Sequence, residues 1–134
     1  MDTVKVKTSE LVGVALDWAV AQAVEFPVQY SRRIGLHCAR TMTVSADTAF
    51  IRMGSTYRPS TDWSQCGPLI EEYRLEIIWI DAHKKEGWAV IKSWSYGEVY
   101  GNFPIGDTHL IAACLAIVSK KFGETVSIPS ELMQ

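Results

Sequence analysis

Between Tyr57 and Gln65 the chain sets two aromatic rings, Tyr57 and Trp63, among the hydrogen-bonding side chains Arg58, Ser60, Thr61, Asp62, Ser64 and Gln65. Flat rings mixed with hydroxyls, an amide and a guanidinium suit a planar polar ligand such as a nucleobase. Pro59 inside the segment and Pro68 beyond it stiffen the chain, which lowers the entropy lost on binding. The ordinary alternative is a surface loop pinned by a buried tryptophan and an aspartate turn. A second aromatic group, Trp94, Tyr96, Tyr100 and Phe103, is interleaved with Gly97, Gly101 and Gly106. Glycines let such a loop fold over a ligand or a neighbouring subunit. Trp94 and Tyr96 therefore join Tyr57, Arg58, Ser60, Thr61, Asp62, Trp63 and Gln65 as candidate ligand contacts. The same glycine-rich stretch reads equally as a flap of the core.

Arginine placement adds a charge to this picture. All six arginines lie between residues 32 and 74, and Arg32, Arg33, Arg40, Arg52 and Arg58 are opposed between Ser31 and Arg58 only by Asp47, a local charge of +4. The planar guanidinium fork matches a phosphate or carboxylate bidentately, which a lysine does not. A chain of net charge −2 with a local arginine cluster holds a small anion without binding nucleic acid generally, because general binding requires a basic surface. Pairing of the arginines with Glu71, Glu72 and Glu76 across strands is the competing explanation.

Catalytic signatures are weaker. Cys66 precedes Gly67-Pro68, a possible opening of a helical turn, and is the best thiol for a lowered pKa. Cys114 falls on an apolar helix face and reads as core. Glu10 and Asp17 sit seven residues apart on one helix face, where paired carboxylates perform acid–base work, although such a face is more often simply solvated. His37 and Cys38 are adjacent, so they point apart, and His83 sits in a lysine-rich turn. No spacing matches a structural metal site, and no phosphate-binding glycine loop or nucleophile elbow is present. The sequence thus assigns no catalytic residue, no metal ligand and no cofactor.

The elements that must carry these residues follow from periodicity. Thr3 to Lys7 alternates as a strand. Leu11 to Glu25 repeats apolar residues at helical spacing, with Thr8 or Ser9 as the N-cap and Pro27 ending the helix. Thr41–Val44 and Thr48–Met53 lean towards a hairpin or irregular insert, and Ser55 to Pro68 reads as loop. Tyr73–Asp81 and Trp88–Trp94 are strands joined by a hairpin turn. His109 to Phe122 is a helix, capped by Asp107 or Thr108 and closed by Gly123. The order predicts an α+β fold, an antiparallel sheet of four to five strands with two helices packed on it. The last helix is apolar around most of its circumference, with a small strip at Ala112, Ala116 and Ser119. That width predicts a homo-oligomer.

The chain has 134 residues, 48% hydrophobic and 21% charged, values that predict a single domain with a core large enough to need no cross-link. Three cysteines at wide spacing suit free thiols in a reducing cytoplasm. No apolar run reaches membrane length, and the N-terminus has no leader-like segment. A cytoplasmic location follows as the expectation.

Four separated stretches carry a family resemblance: Val4 to Leu11, Ala15 to Ala21, Pro59 to Gln65 with Gly67 to Glu71, and Asp107 to Ala113 with Val118 to Gly123. In this order they resemble the NinX-type family of small proteins carried by tailed phages and prophages. Roughly residues 26–56 and 82–105 lie outside the resemblance. Two departures stand out: Cys66 where the family usually has glycine, and Cys114-Leu115 where it usually has Met-Arg. The resemblance implies expression inside a bacterial host during infection, and it brings no reaction and no site with it.

Together these features predict a non-enzymatic phage accessory protein that binds a small anionic molecule. Its most specific form is sequestration of a nucleotide-derived immune signal of the bacterial host. The alternatives are an interaction protein that inhibits a host or phage protein through an apolar–aromatic patch, and an enzyme that degrades a nucleotide using Glu10, Asp17 or Asp62.

Overall fold

A computed structural model describes residues 2–43, 50–82, 85–93 and 104–133. Strand β1 (Thr3–Lys7) leads into a short 3-10 turn (Thr8–Glu10) and helix α1 (Gly13–Ala23). Four short strands follow: β2 (Val28–Ser31), β3 (Gly35–Cys38), β4 (Met42–Thr43) and β5 (Phe50–Ile51). Helix α2 (Trp63–Glu72) precedes the long strands β6 (Leu75–Ala82) and β7 (Lys85–Ser93). Helix α3 (His109–Phe122), strand β8 (Thr125–Pro129) and a 3-10 turn (Ser130–Met133) complete the chain. The fold is α+β. Its strands pair antiparallel, and among the described residues they form four two-stranded ladders: β1–β8, β2–β3, β4–β5 and β6–β7.

Helix α1 begins two residues later than its periodicity implies, and the reason is long-range. Thr8 does not cap it. The Thr8 hydroxyl donates to the carbonyl of Gly123 at 2.7 Å, tying the chain to the end of α3. Leu11 and Val12 are extended, and Gly13 opens the helix at φ +58°, a conformation that costs glycine little. From Ala15 to Ala23 nearly every side chain is buried, and the polar exceptions are Asp17, itself buried, and the exposed Gln22. An apolar helix buried on all sides belongs in the middle of a core.

Helix α2 occupies part of the segment that reads as loop. Asp62 is its N-cap: Oδ1 accepts the Ser64 backbone N–H at 2.9 Å and the Ser64 hydroxyl at 2.6 Å. Such a cap stabilises a helix start by about 1 kcal/mol. Pro68 lies inside the helix and leaves one ladder bond unmade. Burial of Gln65 and Cys66 against the rest of the molecule outweighs that loss.

Helix α3 spans the predicted residues. Thr108 caps it, accepting the Ile111 N–H at 3.1 Å, and Gly123 closes it at φ +82°. The face from Leu110 to Val118 is buried by α1, α2, β6, β7 and β8 of the same chain. Ala112 and Ala116 of the small-residue strip are inside that packing, so the apolar width of α3 is satisfied within one copy. β8, which the sequence reading passes over, supplies β1 with its partner in the register Thr3↔Pro129 to Lys7↔Thr125.

Two groups of buried side chains result. The larger joins α1, α3, β1 and β8 around Leu16, Val20, Cys114, Leu115, Val118 and Ile128. The smaller gathers Ala21, Phe26, Leu36, Cys38, Ile51 and Tyr57. Val14, Trp18, Val24 and Tyr30 pack against both. No helix among the described residues is long and apolar enough to cross a membrane.

Candidate functional site

The segment entering α2 is held by four sets of bonds. Tyr57 donates its backbone N–H to the carbonyl of Leu36 at 3.0 Å. Gln65, buried on α2, reaches back with both ends of its amide: Nε2 donates to the carbonyl of Thr56 at 2.7 Å, and Oε1 accepts the N–H of Arg58 at 2.7 Å. The N–H groups of Thr61 and Asp62 both donate to the carbonyl of Arg58, at 3.1 and 3.0 Å. Ser60 donates its N–H to Asp17 Oδ1 on α1 at 2.8 Å. Every residue from Thr56 to Asp62 except the buried Pro59 takes part, so the Arg58 backbone is fixed before any ligand arrives.

A cleft of about 490 Å³ opens beside this segment, lined among others by Arg52, Ser55, Arg58, Asp62, Ser64 and Gln65. The lining is polar. Arg58 Nε stands 4.0 Å from Asp62 Oδ2, and its side chain is largely exposed. A 4.0 Å contact is longer than a charge-assisted hydrogen bond, so the ion pair with Asp62 is loose. Of the arginine cluster, Arg52 and Arg58 share the cleft.

The fold therefore brings together Arg58, Asp62 and Gln65 from the sequence-selected set and separates the rest. Tyr57 is buried, and its ring stacks on Phe26 at 4.6 Å, inside the smaller core. Burial pushes its phenol far above the usual range. Ser60 is buried and anchors the loop, while Thr61 is exposed with its hydroxyl 3.5 Å from the Arg58 carbonyl. Trp63 is 59% exposed, yet it faces away from the cleft. Its ring lies 6.0 Å from that of His109, His109 stacks on Trp88 at 3.7 Å, and Trp88 meets Trp79 edge-on at 5.3 Å. This row of four rings crosses from the start of α2, over the start of α3, to β7 and β6. Trp94 and Tyr96, with the rest of their aromatic stretch, lie outside the described residues.

Asp17 is the residue that sequence reasoning places wrongly. Its expected solvated face does not exist: it is 6% exposed, and burial pushes its carboxyl up to about 6, with the Ser60 bonds and the charge of Arg58 pulling the other way. The available signal was that Asp17 is the lone ionisable residue in an otherwise apolar Gly13–Ala23. A single acid in such a helix must be inside and bonded. Glu10 remains exposed, so the two carboxylates do not share the solvated face that their spacing implies.

Cys66 and Cys114 are both fully buried, which withholds their thiols from solution. They lie together, and a hydrogen bond with Cys66 that favours the protonated form, together with burial, pushes the Cys114 thiol well up. The two cysteine departures from the resemblance thus fall on neighbouring positions. Leu115, the third departure, is buried in the larger core.

These features define a small α+β protein with a preorganised polar cleft. The family described as Bacteriophage P22, NinX matches residues 7–121, and the chain belongs to that phage protein family. The matched span also includes residues 26–56 and 82–105, which the motif comparison left aside. None of the curated proteins matches the chain.

Proposed function

We propose that this phage protein is an accessory factor that binds a small anionic molecule in the Arg52–Arg58 cleft and holds it without chemical change. One observation carries the reading: Arg58 lines the cleft on a backbone whose N–H is held by Gln65 and whose carbonyl accepts from Thr61 and Asp62. A donor fork held in place before binding loses little entropy when an anion arrives. Ser55, Ser64 and Asp62 add hydroxyl and carboxylate partners for a polar ligand body. The phage family and the ligand chemistry together favour a nucleotide-derived immune signal of the bacterial host, sequestered in the host cytoplasm.

The test is to incubate the purified protein with a panel of cyclic and ADP-ribose-type nucleotides, separate free ligand, then boil the protein and assay the supernatant. Depletion followed by recovery of unchanged nucleotide is the expected result, and Arg58→Lys should weaken it at least tenfold because the fork is lost. A changed nucleotide would assign catalysis instead. Absence of depletion across the panel overturns the proposal.

The ring row, exposed at Trp63 and Trp79, supports a second reading, inhibition of a host or phage protein through an aromatic patch. Tryptophan is enriched where interfaces concentrate their binding energy. Trp63→Ala would then abolish partner capture while leaving nucleotide depletion unchanged.

A further inference from the structure

The wall of the cleft is anchored to an ionisable group. Asp17 of α1 is 6% exposed, and Ser60, also buried, donates its backbone N–H to Asp17 Oδ1 at 2.8 Å. Ser60 follows Arg58 by two residues, so their Cα atoms are no more than about 7 Å apart. The backbone there is fixed: Gln65 Oε1 accepts the Arg58 N–H at 2.7 Å, and the Arg58 carbonyl accepts from Thr61 and Asp62 at 3.1 and 3.0 Å. One short, fixed stretch of chain thus connects a buried carboxyl to a guanidinium that lines the cleft. The charge of Arg58 acts on that carboxyl and favours its ionised form against the effect of burial, and the attraction is mutual. Tyr57, beside Arg58, and Cys114, on α3, also feel the Asp17 charge, and Cys66 of α2 lies against Cys114. Burial keeps the Tyr57 phenol and the Cys114 thiol protonated through the neutral range, and a guanidinium keeps its proton. Asp62, with Oδ2 4.0 Å from Arg58 Nε, adds a carboxylate on the cleft side. Asp17, pushed up to about 6 by burial, changes its charge in the mildly acidic range.

We infer that Asp17 regulates the cleft by proton uptake: ionised, it offsets part of the attraction that Arg58 offers an anion, and protonated, it releases that attraction. The inference rests on the anion-binding reading of the cleft and supplies its regulation. A protonated carboxyl keeps an oxygen that accepts the Ser60 N–H, so the wall stays in place while its charge changes. The two binding events are linked reciprocally. Whatever factor protonation adds to the affinity for the anion, the bound anion adds to the affinity of Asp17 for its proton. An anion is thus held more tightly in mild acid and released as Asp17 ionises. Asp17 touches no ligand itself; buried behind the wall, it is a positioning residue that acts through Arg58.

The experiment uses the full chain, isotope-labelled for NMR, and has two arms. The first needs no ligand: the carboxyl signal of Asp17 is titrated in the unmodified protein and in Arg58→Gln. Removal of the neighbouring positive charge should move the Asp17 midpoint upwards, and an unchanged midpoint overturns the inference whatever the cleft binds. The second arm uses sulfate, which stays fully ionised over the range, added at constant ionic strength and followed by the amide signals of Arg58 to Asp62. In the unmodified protein sulfate should bind about threefold or more tightly in mild acid than in mild alkali. Asp17→Asn keeps an oxygen for Ser60 and carries no charge, so it should bind at the tighter value throughout and show a flat pH profile. The same pH dependence in both proteins overturns the regulation alone and leaves the anion-binding reading standing. No sulfate binding at either pH overturns that reading, and the regulation with it. If Asp17→Asn fails to fold, the Asp17 midpoint of the unmodified protein with and without sulfate decides: it should rise when sulfate is bound, and a midpoint that stays put overturns the inference.

Discussion

The carboxylate of Asp17 and the backbone N–H of Ser60 meet at 2.8 Å across 43 positions of sequence, in a buried contact between α1 and the segment that leads into α2. This bond joins the central helix to the wall of the cleft. It also places an ionisable group where water does not reach it.

A pH dependence follows, and its sign is set by the direction of the shift. Burial raises the Asp17 carboxyl from the ordinary 3.8 to about 6. The folded state therefore holds its proton more tightly than the unfolded chain does. The stabilisation linked to that proton is complete below pH 3.8 and is lost as pH rises to about 6, with no further change above. A shift of this size corresponds to roughly 3 kcal/mol. Asp17→Asn keeps an oxygen for the Ser60 N–H and removes the titration. Urea unfolding of the two proteins at mildly acidic and mildly alkaline pH should show the stability gap moving in favour of Asp17→Asn as pH rises. A gap that stays constant would show that Asp17 is not raised.

The two aromatic residues of the loop should separate cleanly. Tyr57→Ala empties a site stacked on Phe26 in the smaller core and should cost about 3–5 kcal/mol, the range for losing a buried aromatic. Trp63→Ala removes a ring that is mostly in solvent and should shift stability by less than about 1 kcal/mol. Thermal melts of both variants check this. Equal destabilisation would mean that the Trp63 ring is packed.

Two glycines give opposite predictions. Gly67 lies within α2, and a Cβ there meets nothing within 4 Å. Gly67→Ala should stabilise by about 0.5–1 kcal/mol, because alanine loses less backbone entropy in a helix. At Gly106 a Cβ would come 2.6 Å from the backbone nitrogen of Ala112. Gly106→Ala should therefore push the chain bridged to Trp88 away from α3 and lower the melting temperature. Side-by-side melts read both effects, and a neutral Gly106→Ala would contradict the close approach.

What was legible in the sequence was local. His109 to Phe122 shows its helix through apolar spacing, Thr108 and Gly123, and all three operate within a few residues. The strands of the β6–β7 hairpin show themselves in the same way. α2 was hidden because Gly67-Pro68 signals a turn, and that signal yields only to burial of Gln65 and Cys66 in the finished fold. β8 was hidden because its partner is β1, at the far end of the chain. Of the cleft, the polar character of Arg58 to Gln65 was legible. The division of that segment into an inward Tyr57, a cleft-lining Arg58 and an outward Trp63 was not, because it depends on where α2 begins. Asp17 was misplaced for a related reason: spacing along a helix ranks its faces, and from Ala15 to Ala23 only Gln22 of α1 is exposed.

The β1–β8 ladder has a consequence for how the molecule comes into being. Its register ties Thr3 to Pro129, so it closes a loop that contains all three α-helices and the other three ladders. Loop closure of that kind must precede any return from the contacts it makes, and it slows folding. A ribosome delivers β1 first and β8 last. Throughout synthesis Val6 waits for Val126, its opposite number in the ladder, and the larger core stays open on that side. The nascent chain thus carries β1 without its partner until β8 has emerged, and the lysines at positions 5 and 7 disfavour pairing of that strand with a neighbour in the meantime.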